Sequence, residues 1–183
     1  LEIRDGGYYG VKMNGSLDNI AERLLIHRMS GYGIHAGGSS LSIHSSVLWS
    51  NRIAAVNWAG GSLRVSNSVL HTRGPSITNA IVLLDKVIYR GDYNNYFPEG
   101  GASYMTLDGE AITGLPQWNT ITTQDLHSIS IDPKFANTVS NNFHPRSTSG
   151  RFDPASQAFV TNDVDYSWLI DAADPTTSYA FEP

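Results

Sequence analysis

The sequence predicts an all-β solenoid, a stack of short strands laid coil upon coil. Two observations carry this reading. Leu41-Ser42-Ile43-His44-Ser45-Ser46-Val47-Leu48 is answered by Leu63-Arg64-Val65-Ser66-Asn67-Ser68-Val69-Leu70, matching residues lying 22 apart, and Ile34 and Val56 keep the same step. Within each segment apolar and polar residues alternate, and glycines or small polar residues separate the segments. A period in the twenties with strand alternation is the sequence mark of a stacked coil.

Taken in order, residues 8–31 read as a first, irregular coil with strands at Gly10-Val11-Lys12-Met13-Asn14 and Leu24-Leu25-Ile26-His27. Asp18 to Arg28 also fits a helical period, but the likeness of Leu24-Leu25-Ile26-His27 to Leu41-Ser42-Ile43-His44 favours a strand. Coils 32–53 and 54–79 each give a strand, a glycine turn (Gly37-Gly38 and Gly60-Gly61) and a second strand. Alternation turns Leu41, Ile43, Leu63 and Val65 into the bore and Ser42, His44, Arg64 and Ser66 outward. A stretched fourth coil runs from Ala80 to Phe97, after which the step is lost. Residues 1–97 are therefore expected as coils and 98–183 as an irregular capping segment of the same domain, since an uncovered end coil exposes unpaired backbone. Within that segment Leu115 to Ile121 predicts a short helix with Pro116 in its first turn, and Ser128 to Asp132 a strand stopped by Pro133.

Composition narrows the function classes. The chain has 183 residues, 40% hydrophobic and only 16% charged, which suits one turn-rich core. Its 12 Lys and Arg are scattered and the net charge is -5, which argues against nucleic acid as a partner. Cysteine is absent, so neither a disulfide framework nor a thiolate metal site is available. No run approaches the ~20 apolar residues of a membrane span. The opening at Leu1 and the ending at Phe181-Glu182-Pro183 suggest a piece of a longer protein at both ends.

A series of short segments then carries a resemblance. Gly91-Asp92-Tyr93-Asn94-Asn95-Tyr96-Phe97-Pro98, Leu115-Pro116-Gln117-Trp118, Gln124-Asp125-Leu126-His127-Ser128-Ile129, Asp132-Pro133-Lys134-Phe135, Asn142-Phe143-His144-Pro145 and Leu169-Ile170-Asp171-Ala172-Ala173-Asp174 follow one another in that order. The chain resembles the right-handed parallel β-helix repeat proteins of bacterial surfaces, whose closing segment reads D-Y-N…W…D-x-H-S…D-P-x-F…D-F-H-L…I-D-A-G. It departs from them at Ala173, where Gly is usual, at Asn142, where Asp is usual, and in an insertion over 147–164. The resemblance implies a right-handed parallel β-helix with an extracellular or cell-surface location. It also implies a polysaccharide as partner, met either by a non-catalytic scaffold or glycan-contacting surface or, alternatively, by a polysaccharide lyase whose main cleft lies on upstream coils.

The candidate residues follow from the repeat and the resemblance together. Lys12, His35 and Asn57 each follow an inward residue and form one outward row. In β-helix lyases a Lys or Arg on such a face abstracts the proton beside a uronate carboxylate, which makes Lys12 and His35 the catalytic candidates and Asn57 a binding one; the alternative is a solvated polar face. Trp49 and His71, 22 apart, are expected to form an aromatic ladder that binds sugar by stacking or packs under a loop. His27 and His44 are expected one rung apart as a metal-binding or solvent-facing pair. Asp163, Asp165 and Asp171 are the oxygen donors for calcium, if calcium is a cofactor. Asp125, His127 and Ser128 lie too close in sequence for a hydrolytic triad and are read as loop-satisfying groups.

Overall fold

In a computed structural model, which describes residues 1–15, 18–73, 79–100 and 103–177, the alternating segments sort into two sheets. Residues 16, 17 and 74–78, which fall within the expected coils, and the ending 181–183 lie outside the described residues. Contacts divide the chain into a unit of residues 1–130 and a unit of residues 131–183.

The first unit contains β1 (Glu2–Arg4), β2 (Tyr9–Asn14), β3 (Asn19–Glu22), β4 (Leu25–His27), β5 (Tyr32–His44), β6 (Val47–Trp49), β7 (Ala54–Ser66) and β8 (Val69–Arg73). It continues with β9 (Asn79–Leu84), β10 (Ile88–Asp92), β11 (Asn95–Glu99), β12 (Ser103–Leu107), β13 (Glu110–Ile112) and the helix α1 (Leu115–Thr122). One sheet runs β1-β4-β6-β8-β11, and the other runs β13-β12-β9-β7-β5-β2 with β3 on β5 and β10 on β7. Every pairing is parallel except that of β12 with β13. The result is a parallel β-solenoid of about four turns with about 23 residues per turn. Parallel pairing extends past Pro98, because β12 lies on β9.

Registers stack like on like. Leu41 pairs with Leu63, Ile43 with Val65, Leu48 with Leu70, and Ile34 with Val56 and then Ile81, all buried in the bore. Each such side chain contributes ~1.5–3 kcal/mol of burial. The corners are held by a second, polar ladder. Arg23, Ser45, Asn67 and Tyr93 adopt positive φ of 54°, 48°, 51° and 56°, turning the chain at the same place in successive coils. The next residue in each coil then donates its backbone N–H to a side-chain oxygen one coil on: Leu24 to Ser46 (3.2 Å), Ser46 to Ser68 (3.2 Å), Ser68 to Asn94 (3.1 Å) and Asn94 to Ser128 (2.9 Å).

Three expectations are corrected. His27 and His44 are not neighbours: His27 pairs with Trp49 in the five-stranded sheet, while His44 pairs with Glu22 and Ser66 in the other. The segment that aligns with Leu41 to His44 is Asn19 to Glu22, whose inward residue is the small Ala21. The glycine pairs do not end a strand. β5 and β7 each run 13 residues through them, with Gly38, Gly60 and Gly61 at φ of 62°, 68° and 74°, and a Cβ at Gly61 would collide with the Ser39 carbonyl oxygen. Finally, Ser128 to Asp132 forms no strand; Ile129 makes only an isolated bridge to Asn95.

The expected helix is present as α1, with Trp118 fully buried in the core. In the second unit β14 (Phe135–Asn137) pairs antiparallel with β15 (Asn142–Pro145), and β16 (Arg151–Asp153) with β17 (Ala158–Val160). Among the described residues no helix is long and apolar enough to cross a membrane.

Candidate functional site

The first halves of β5 and β7 carry the row in which the sequence concentrates its candidates. Lys12 of β2 pairs with His35 of β5, His35 with Asn57 of β7, and Asn57 with Val82 of β9. Their neighbours Ile34, Val56 and Ile81 are wholly buried, so strand alternation turns this row away from the bore. Lys12 is exposed, His35 half-buried and Asn57 buried.

Three tyrosines close around the row. Tyr9 and Tyr32 pair in register and stack with ring centroids 5.9 Å apart and planes at 12°. The His35 ring lies 4.9 Å from Tyr9 and 5.3 Å from Tyr32, and Tyr8 meets Tyr9 and Tyr32 edge-on at 4.9 and 5.5 Å. The Lys12 ammonium sits 4.9 Å over the Tyr9 ring, a cation–π arrangement. Burial, and then the neighbouring Tyr8, push the Tyr32 hydroxyl above its ordinary pKa, while a hydrogen bond with Asn57 opposes them. At neutral pH that hydroxyl keeps its proton and serves as a hydrogen-bonding group rather than a base. Rings that offer an apolar face and a polar edge, beside an ammonium, an imidazole and an amide, suit the stacking and hydroxyl bonding of a sugar.

Trp49 and His71 do stack, with centroids 3.6 Å apart and planes at 12°, and Phe97 continues the ladder 5.6 Å beyond His71. This ladder belongs to the five-stranded sheet, apart from the Lys12 row. The Ser50 backbone N–H donates to His71 Nδ1 (3.0 Å), which assigns the proton of the neutral ring to Nε2, 3.3 Å from a Glu99 carboxylate oxygen. His71 is 1% exposed, so the ladder offers a ligand chiefly the half-buried Trp49 and Phe97.

In the second unit the acidic candidates face cations of the chain itself. Asp163 receives both arms of Arg151 (2.8 and 3.2 Å) and the Ser147 N–H (3.0 Å), and Asp165 pairs with Lys134 (3.2 Å) and Arg146 (3.4 Å). Burial raises the Asp163 pKa while Arg151, the Ser147 N–H and Arg146 together more than offset it, and the hydrogen bond from Lys134 leads in lowering that of Asp165. Asp171 is exposed at a positive φ of 64°. Among the described residues no three His, Asp or Glu side chains gather as a metal would require.

One centre escaped the sequence reading. Asp125, 1% exposed, accepts hydrogen bonds from five side chains: Ser128 (2.6 Å), Tyr96 (2.9 Å) and Asn94 (3.1 Å) on one oxygen, Tyr89 and Trp118 (both 2.8 Å) on the other. Burial first, together with the Asp125 charge, holds the Tyr89 and Tyr96 hydroxyls well above their ordinary pKa, so both remain donors. The signal was present in the sequence, since Asn94, Trp118, Asp125 and Ser128 come from three of the closing segments named above. Asp125 therefore satisfies side-chain donors rather than loop backbone. Nearby, Asp92 accepts from the His127 ring (2.7 Å) and backbone (2.8 Å), and Tyr93 stacks on His127 at 4.8 Å.

The chain is thus a parallel β-solenoid with a tyrosine-lined polar row on its longer sheet. No family model, curated protein or solved structure matches it.

Proposed function

We propose that this chain is a non-catalytic, glycan-contacting scaffold, the C-terminal part of a secreted or cell-surface β-helix protein. The observation that supports this reading best is the convergence of Tyr8, Tyr9, Tyr32 and His35 on one outward row with Lys12 and Asn57. Stacked parallel strands make a rigid platform, and residues at equivalent places on successive rungs lie about 4.8 Å apart, which suits an extended chain ligand laid across the strands. The proposed roles are stacking for the tyrosines, hydroxyl bonding for His35 and Asn57, and a cationic contact for Lys12.

The test is affinity electrophoresis through gels containing neutral or acidic polysaccharides, with the absorbance of unsaturated products followed in parallel. The expected result is retardation by at least one polymer, weakened about three- to tenfold by Tyr8→Ala or Tyr9→Ala, the scale of one lost aromatic stack. Migration unchanged in every gel would overturn the reading. Formation of unsaturated product would overturn its non-catalytic part and make Lys12 and His35 the first residues to replace.

A further inference from the structure

The second halves of β5 and β7, together with β3 and β10, form a groove of about 310 Å³ unlike the tyrosine-lined row. Its floor is serine: Ser40 pairs with Ser62 across the rungs, and Ser42 pairs with Arg64. Its cationic end is Arg64 and Arg90, which pair in register on β7 and β10, so their backbones lie about 4.8 Å apart. Both are exposed, and neither takes part in an ion pair of the described residues. The carboxylate nearest along the strand, Asp92, is held by His127. Asp18 is the acid among the lining residues, and it lies on the β3 side, away from β10. In a chain of net charge -5, two adjacent guanidinium groups outside any ion pair of the described residues mark a local reversal of sign.

We propose that this groove is an anion subsite for an acidic polysaccharide, in which Arg64 and Arg90 together grip one sulfate or carboxylate group. The proposal rests on the glycan-contacting reading above and adds the charge class of the ligand. The guanidinium fork matches the paired oxygens of either anion, and a water-facing groove lets both forks turn toward one group. The Ser62 hydroxyl donates to Ser40 at 3.0 Å, which leaves the Ser40 proton and the Ser62 lone pairs to sugar hydroxyls. The exposed Ile88, in register with Ser62, presents an aliphatic wall to the apolar face of a ring. The field of Arg64 already acts on the groove's neighbour: after burial, Arg64 is the next cause holding the His44 pKa down.

The experiment titrates the whole chain and its Arg64→Gln/Arg90→Gln variant with heparin, polygalacturonate and dextran at low and high salt. Unchanged thermal melting of the variant establishes that these exposed replacements leave the fold intact. The expected result is binding of heparin or polygalacturonate that weakens with salt and falls about tenfold or more in the variant, the scale of lost charge-assisted hydrogen bonds. Preference for heparin assigns the anion as sulfate, and preference for polygalacturonate as carboxylate. Acidic polymers that bind the variant as well as the parent, or bind neither, overturn the proposal. Dextran retained through the tyrosines while acidic polymers fail would sink this inference alone, whereas silence of all three would sink the glycan-contacting reading with it.

Discussion

The bore of the coils and the carboxylate of Asp125 are both buried, yet the regions around them are held by opposite means. In the bore Ile34, Val56 and Ile81 stack on consecutive rungs, all three wholly buried and in register. Around Asp125 a single carboxylate is the common acceptor for five side chains drawn from β10, β11, α1 and the loops beside them. A repeated coil can satisfy itself by copying its predecessor. Where the step changes and the chain must leave the stack, copying fails, and side-chain donors converge on one charge instead.

The largest effect should come from placing a charge in the apolar bore. Ile43→Asp or Val65→Asp buries an unpaired carboxylate at a cost of several kcal/mol, comparable to the stability of a whole domain. Loss of the cooperative melting transition by circular dichroism is expected. Retained melting in either variant would break the register on which the comparison stands.

The converse replacement removes the charge where donors depend on it. Asp125→Ala leaves three hydroxyls, an indole N–H and an amide without their common acceptor, and should cost about 3–5 kcal/mol in denaturant unfolding. A smaller loss, below ~1 kcal/mol, would mean that those donors re-pair locally and that the closing region resembles the bore more than it differs.

The serine ladder lies between the two extremes, repetitive like the bore and polar like the Asp125 pocket. Ser68→Ala deprives the buried Ser46 N–H of its acceptor and the Ser66 carbonyl of a donor. A loss of about 1–2 kcal/mol is expected, with faster hydrogen exchange at the Ser46 amide. Unchanged exchange there would remove the ladder from the forces that fix the corners.

The same contrast explains what was legible in the sequence. Copying leaves a period, so Leu41 with Leu63, Ser46 with Ser68 and the row Lys12, His35 and Asn57 could be read from spacing alone. Misreadings arose where chemistry imitated the period. Leu24-Leu25-Ile26-His27 looks like Leu41-Ser42-Ile43-His44, whereas the true partner, Asn19-Ile20-Ala21-Glu22, exposes its isoleucine and buries its alanine. Strict alternation would set Tyr32 on the face of Ile34, but its ring lies beside His35, three positions on, so the tyrosine surround of the row was hidden. Arg64 and Arg90 escaped because their rungs are 26 residues apart where the preceding ones differ by 22. The Asp125 pocket has no period at all and needed the three-dimensional convergence of distant segments to become visible.

The smallest expected effect tests whether the outward face of the coils carries a polar organisation of its own. His44 lies in register between Glu22 and Ser66, and its Nδ1 is 2.6 Å from the Ser66 hydroxyl. Burial and then Arg64 lower its pKa from the ordinary 6.5, with Glu22 opposing. A depressed histidine pKa means that the unfolded chain binds the proton more readily than the folded one, so this residue's contribution to stability falls as pH drops through and below 6.5. Replacing Arg64 by Gln removes the second cause and leaves the first, so the His44 pKa should rise only part of the way back in an NMR titration of the ring. An anion gripped by Arg64 should shift it in the same direction, because both changes cancel the same positive field. A pKa indifferent to Arg64 would show that burial alone sets it, and that on this face, as in the bore, neighbouring rungs are stacked without being electrically coupled.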